Sequence, residues 1–186
     1  MEGIAFDKKL TMVDKVLSGN KTMFRLVSKP KGNGKVFNTK YQIGQRIALL
    51  QAYKDIDIEV DQPVFQKDKL GDLIQITAGE SRGWSNAKSV DPELMPHIIE
   101  IVSIKQESIK DISAEDCLKE GIVPVRCDDL SILDGNMPFE GFSLDGKTWL
   151  ADSPQEVFSL LSDKLVKKNA WVNNKMVDVY EFKLVR

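Results

Sequence analysis

Lys21, Thr22 and Arg25 fall within five positions, directly after Gly19-Asn20 and ahead of an extended stretch that closes at Lys29-Pro30. Two cations and a hydroxyl at a helix-to-strand corner suit an anionic or nucleotide-like ligand, because backbone N–H groups are often free at such corners. Histidine chemistry has a single candidate, His97. It follows Met95-Pro96 and leads a β-rich run, so it reads as a strand-entry residue. Catalysis, if present, would use Lys, Glu, Asp, Thr or Tyr instead. Cys117 and Cys127 have no CxxC partner and no second histidine nearby, which argues against zinc. No metal and no cofactor is expected.

The elements that must position these groups are short. Thr11 to Asp14 has the spacing of a capping box, and Val13, Val16 and Leu17 share a helical face, so a helix is expected at about 12–18 with Gly19 as its stop. Residues 31–40 read as a basic turn in which Gly32, Gly34 and Lys35 only echo a phosphate loop. Residues 43–53 look like a turn entering a buried strand, and residues 73–78 form a β-branched strand. Trp84 sits in a long irregular connection, 79–96, where it either covers an apolar cluster or stacks on a ligand. Ile98 to Lys105 is the clearest strand. Ser113 and Ser153 each open a helix with a capping pattern, and residues 177–184 alternate as a closing strand.

The chain of 186 residues is 42% hydrophobic, enough for a sizeable core in one domain. Charged residues make up 29%, the net charge is −2 and the pI is near 5.6, so a whole-molecule basic field is absent. No apolar run approaches the roughly 18 residues of a membrane span, and no targeting segment is visible; a reducing cytoplasm is the expected setting. Irregularly alternating strands and helices without GxGxxG disfavour a doubly wound sheet. The expected fold is α+β, a small mixed or closed sheet with about three peripheral helices, in one domain over 1–186 with insertions at 54–72 and 123–152.

Gly19-Asn20-Lys21-Thr22-Met23-Phe24-Arg25, continuing to Val27-Ser28-Lys29-Pro30, resembles the GxKTxTRR…KP signature of ASCH-domain proteins, in their bacterial and phage branch. Tyr41-Gln42-Ile43-Gly44-Gln45-Arg46-Ile47, Trp84-Ser85, Met95-Pro96, Ile98 through Ile122, Trp171 to Val177 and Tyr180-Glu181-Phe182 are similar to its later motifs, in order. The resemblance spans about residues 10–185, apart from the two insertions. It implies a PUA-like fold, a small β-barrel whose cleft contains the GxKT corner, and binding of RNA or modified nucleosides. Some small members hydrolyse N-acylated cytidines with a lysine, a threonine and a glutamate. The lysine falls on Lys21 and the glutamate on Glu120, while Phe24 stands at the threonine's position. Thr22 offers a hydroxyl one residue after the lysine, aimed differently on a strand. Gln51, Tyr53 and Leu26 also depart from the family's residues.

Three readings follow. In the first, a cationic cleft binds RNA or a nucleotide-like ligand, with Lys21, Arg25 and Lys29 on phosphate. Tyr53, Trp84 or Trp171 would stack on a base, and Asn20 and Gln51 would supply polar contacts. In the second, Lys21, Thr22 and Glu120 hydrolyse an acylated cytidine, with Arg25 helping Lys21 lose its proton. In the third, a phage- or prophage-type accessory protein uses its insertions as a partner surface. The bland alternative for Lys21, Arg25 and Glu120 is a solvated surface network. No membrane partner is expected.

Overall fold

The structure is a computed structural model that describes residues 1–31, 36–127, 139–146 and 148–185. Its strands in chain order are β1 (Gly3–Ile4), β2 (Met23–Val27), β3 (Lys29–Lys31), β4 (Val36–Asn38), β5 (Arg46–Leu49) and β6 (Pro63–Lys67). There follow β7 (Leu73–Thr77), β8 (Ile98–Ser108), β9 (Val123–Cys127), β10 (Phe139–Ser143) and β11 (Met176–Leu184). Among the described residues the helices are α1 (Met12–Leu17), α2 (Ala114–Lys119) and α3 (Pro154–Leu165), with six 3-10 turns besides. The class is thus α+β, with a mixed five-stranded sheet ordered β1-β5-β8-β11-β2 and three two-stranded sheets. The strand pairings of the described residues form no closed barrel. The residues that echo a phosphate loop, Gly32, Gly34 and Lys35, lie outside the described residues, as do 128–138 of the second expected insertion. No helix among the described residues is long and apolar enough to cross a membrane.

The chain divides into two compact units. The first comprises Met1–Phe6, Gly44–Glu100 and Leu184–Arg186. Here β1 lies parallel to β5, and β5 pairs antiparallel with the start of β8, Ile47 opposite Ile99. Its core gathers Ala48, Tyr53, Val64, Ala78, Val90 and Met95. The stretch expected as a loop or ragged hairpin at 54–72 contains β6, which pairs with β7 from Pro63↔Thr77 to Lys67↔Leu73. The irregular connection resolves into three 3-10 turns, Arg82–Trp84, Ala87–Ser89 and Pro92–Leu94. Gly83 must be glycine: a Cβ there would stand 2.6 Å from the Tyr53 ring.

The second unit comprises Asp7–Ile43 and Ile101–Lys183. In it β2 pairs antiparallel with β11, placing Phe24 opposite Tyr180 and Arg25 opposite Val179. Side chains alternate along β2. Phe24 therefore joins an aromatic cluster, stacked on Tyr180 at 5.0 Å with Tyr41 and Phe182 beside it. Arg25 points to the other face. Helix α1 buries Met12 and Val16, and α3 buries Val157, Phe158 and Leu161. The capping box expected at Thr11 does not form. Thr11 has φ 52° and its hydroxyl turns back to the Leu10 carbonyl, because a 3-10 turn capped by Asp7 leads into α1. The caps at Ser113 and Ser153 do form, accepting from the amides of Asp116 and Glu156.

Candidate functional site

Helix α2 begins at the Ser113 cap, and its turns carry Asp116 and Glu120 to one side, four residues apart. Gly121, at φ +99°, ends it, so Glu120 occupies the C-cap with its carboxylate turned inward. Three cations meet three carboxylates at this point. Arg25 donates through Nη1 to Glu120 Oε1 at 2.7 Å, and through Nη2 to Glu107 at 2.9 Å and Asp116 at 3.1 Å. Lys21 Nζ donates to Glu120 Oε2 at 2.6 Å, the Glu120 carbonyl at 3.1 Å and the Met23 carbonyl at 2.7 Å. Lys105 closes the outer side, on Asp116 at 2.7 Å and Glu107 at 2.9 Å. The guanidinium of Arg25 also lies 5.5 Å from the centre of the Phe158 ring.

This is not a solvated surface network. Lys21, Arg25 and Glu120 are 2%, 1% and 2% exposed. The expectation that Lys21 and Arg25 present charge to a phosphate is corrected by the same burial: their charges are neutralised inside the unit. The carboxylate of Glu120 at a helix C-terminus opposes the helix dipole, and the two buried cations offset that. Burial pulls the Lys21 ammonium below the ordinary lysine range, with Glu120 acting in the other direction. Burial also works against the Arg25 charge, but Glu120 and Glu107 outweigh it and hold the guanidinium above its usual value. Cys117, buried beside this cluster, has its thiol pushed up to about 12 by desolvation. Such a thiol is inert as a nucleophile or metal ligand at neutral pH. No metal-holding group of His, Cys, Asp and Glu occurs among the described residues.

A groove of about 330 Å³ opens beside the network, lined among others by Asn20, Thr22, Glu115, Lys119, Ile122 and Pro124. Its walls are the chain neighbours of the buried pair: Asn20 and Thr22 flank Lys21, while Lys119 and Ile122 bracket Glu120. The amide of Thr22 donates to the Lys119 carbonyl at 2.9 Å, joining the two walls. The half-buried Thr22 hydroxyl makes no hydrogen bond among the described residues. Lys119 is shared by Glu115 and Glu181, each at 3.2 Å, so the groove carries little net charge. Asn20 is exposed and donates to the Ser18 hydroxyl at 3.1 Å.

The remaining expected residues divide between the units. Lys29 is exposed on β3. Trp171 is half-buried and meets Phe158 edge-on at 6.2 Å, a packing role. In the first unit, Tyr53 is 1% exposed and its hydroxyl accepts from the Asp91 amide at 2.8 Å, so it is core and cannot stack on a base. Trp84 packs against that core, the covering role weighed above. Gln51 is half-buried; its amide N–H donates to the Met95 sulfur at 3.3 Å, and its side-chain oxygen is buried without a partner. The sequence reading missed Lys105, Glu107 and Asp116. Two signals pointed to them: residues 105 and 107 alternate onto one face of a strand, and 116 and 120 share a helical face.

No family model, curated protein or solved structure matches the chain.

One structural consequence is measurable at the cap. Ser113→Ala removes the acceptor for the Asp116 amide and loosens the turn that aims Asp116 at Arg25. Unfolding in urea is expected to show a loss of about 1 kcal/mol.

Proposed function

We propose that the chain is an ASCH-type domain of PUA-like fold whose groove beside Lys21 and Glu120 binds the base and sugar of a nucleoside, free or within RNA, without chemistry. The observation that carries this reading is the Thr22 hydroxyl, without a protein partner among the described residues, in a nearly neutral groove held in place by a buried ionic scaffold. A groove of this volume lies at the small end of ligand sites. Apolar surface from Leu118 and Pro124 would cover a planar ring, while Thr22 and Asn20 would meet its polar edge. The three acceptors around Lys21 Nζ support binding over hydrolysis. They enclose the amine, which is 2% exposed, whereas a lysine base must reach its substrate.

Equilibrium titration with cytidine, N-acetylated cytidine and a short single-stranded RNA tests this. Thr22→Val is nearly isosteric and removes the free hydroxyl. Affinity for the preferred probe is expected to fall about tenfold, on the order of 1.4 kcal/mol. Unchanged affinity for every probe would remove the groove from the site.

A further inference from the structure

A second groove, of about 490 Å³, lies entirely within the first unit. Its chemistry is the reverse of the nearly neutral groove beside Lys21. Lys67, Arg82 and Lys88 line it, with Asp91 as the one carboxylate among its lining residues. Their concentration is unusual for this unit, since residues 44–100 hold six Lys and Arg against ten Asp and Glu. Half of those cations face one groove.

The cations are held ready. Arg82 Nη2 donates to the Lys67 carbonyl at 2.6 Å, and its amide donates to Gln66 Oε1 at 3.2 Å. These bonds fix the guanidinium against the β6–β7 hairpin and leave its other nitrogens unused among the described residues. The ammonium groups of Lys67 and Lys88 take part in no ion pair among the described residues. Asp91 is occupied by the Glu93 amide at 2.9 Å and does not neutralise them through a close contact.

An aromatic ring lies at the same groove. On β6, Val64 is buried while Phe65 is 50% exposed. Alternation puts Phe65 and Lys67 on one face of the hairpin, with Gln75 and Leu73 directly opposite them. An exposed ring beside unpaired cations is the arrangement by which single strands and nucleotides are held: the ring takes the base, the cations take the phosphate.

We infer that the groove formed by Phe65, Lys67, Arg82 and Lys88 binds a phosphorylated nucleotide, with its base on Phe65 and its phosphates on the three cations. This site is separate from the groove lined by Thr22 and rests on different residues. The phosphate chemistry is common to a free nucleotide and to a single-stranded nucleic acid, and the probes below separate the two.

The full chain is titrated at low salt with ADP, inorganic pyrophosphate and a labelled oligoadenylate. The double variant Lys67→Ala/Lys88→Ala is expected to weaken ADP and pyrophosphate at least tenfold and to flatten their salt dependence. Phe65→Ala is expected to weaken ADP about tenfold while leaving pyrophosphate unchanged. The double variant Lys67→Arg/Lys88→Arg, which keeps both charges, should retain binding and so separates loss of charge from loss of fold. Oligoadenylate binding more than tenfold tighter than ADP assigns the site to a strand; equal or weaker binding assigns it to a free nucleotide. ADP affinity unchanged in both alanine variants would overturn the inference. So would a loss confined to Thr22→Val, which would leave the reading of the other groove standing.

Discussion

Arg25→Leu should be the most damaging single substitution in the second unit, lowering the unfolding free energy by about 3–5 kcal/mol. The side chain is 1% exposed and holds Glu120, Glu107 and Asp116 together. Removing it leaves three carboxylates facing one another, with Lys21 and the half-exposed Lys105 as their remaining cations. Two effects add: uncompensated buried charge, and lost packing of the guanidinium over Phe158. Arg25→Lys should recover only part of the loss, because an ammonium cannot span three carboxylates as the planar fork does. Urea unfolding monitored by tryptophan fluorescence measures it; a cost below about 1 kcal/mol would mean that the network contributes little to the fold.

Lys21→Met should have the next largest effect, and its signature is a changed pH dependence. Lys21 is a base whose folded-state value lies below its unfolded one, because burial disfavours the ammonium. Between the two values the unfolded chain binds more protons than the folded chain, so this group makes stability rise with pH up to about the ordinary lysine value of roughly 10.4. Lys105 has the opposite sign. Asp116 and Glu107 outweigh its partial burial and raise it, so its contribution is present at neutral pH and is lost as pH climbs through its folded value. Lys21→Met should therefore abolish the rising component and leave the falling one. It should also cost about 3–5 kcal/mol near neutral pH, since Glu120 Oε2 loses its partner. Combining it with Glu120→Gln, which removes the orphaned charge, should cost less than the two single changes added together. An additive double variant and an unaltered pH profile would show that the pair is not coupled.

Local structure was legible where one short segment determines it. The Ser113 and Ser153 caps, the stop at Gly19 and the strand β11 each depend on a few adjacent residues, and all form, although Val177 to Tyr180 are buried in succession rather than alternately. Thr11 failed for the same local reason: Asp7 captures the preceding turn first. The pairing of Lys21 with Glu120 was suggested by motif order, but its burial was not. Burial depends on Glu107, Asp116 and Lys105 arriving from β8 and α2, which no spacing around Lys21 records. Tyr53 was misread because its neighbour Gly83 lies thirty positions away, and only the close approach of the two shows the ring to be core. The groove at Phe65 was hidden within a stretch expected to be a loop or ragged hairpin, where alternation over five residues is a weak signal beside so many charges.

In the proposed function Lys21 and Glu120 hold the groove, and the groove would bind without reacting. The most direct test is to incubate the wild-type protein with N-acetylated cytidine at neutral pH and to quantify bound nucleoside and free acetate together. The account predicts saturable binding, weakened by Thr22→Val, with the ligand recovered intact. Acetate release that disappears in Lys21→Ala while the fold persists would contradict it and make Lys21 a catalytic residue.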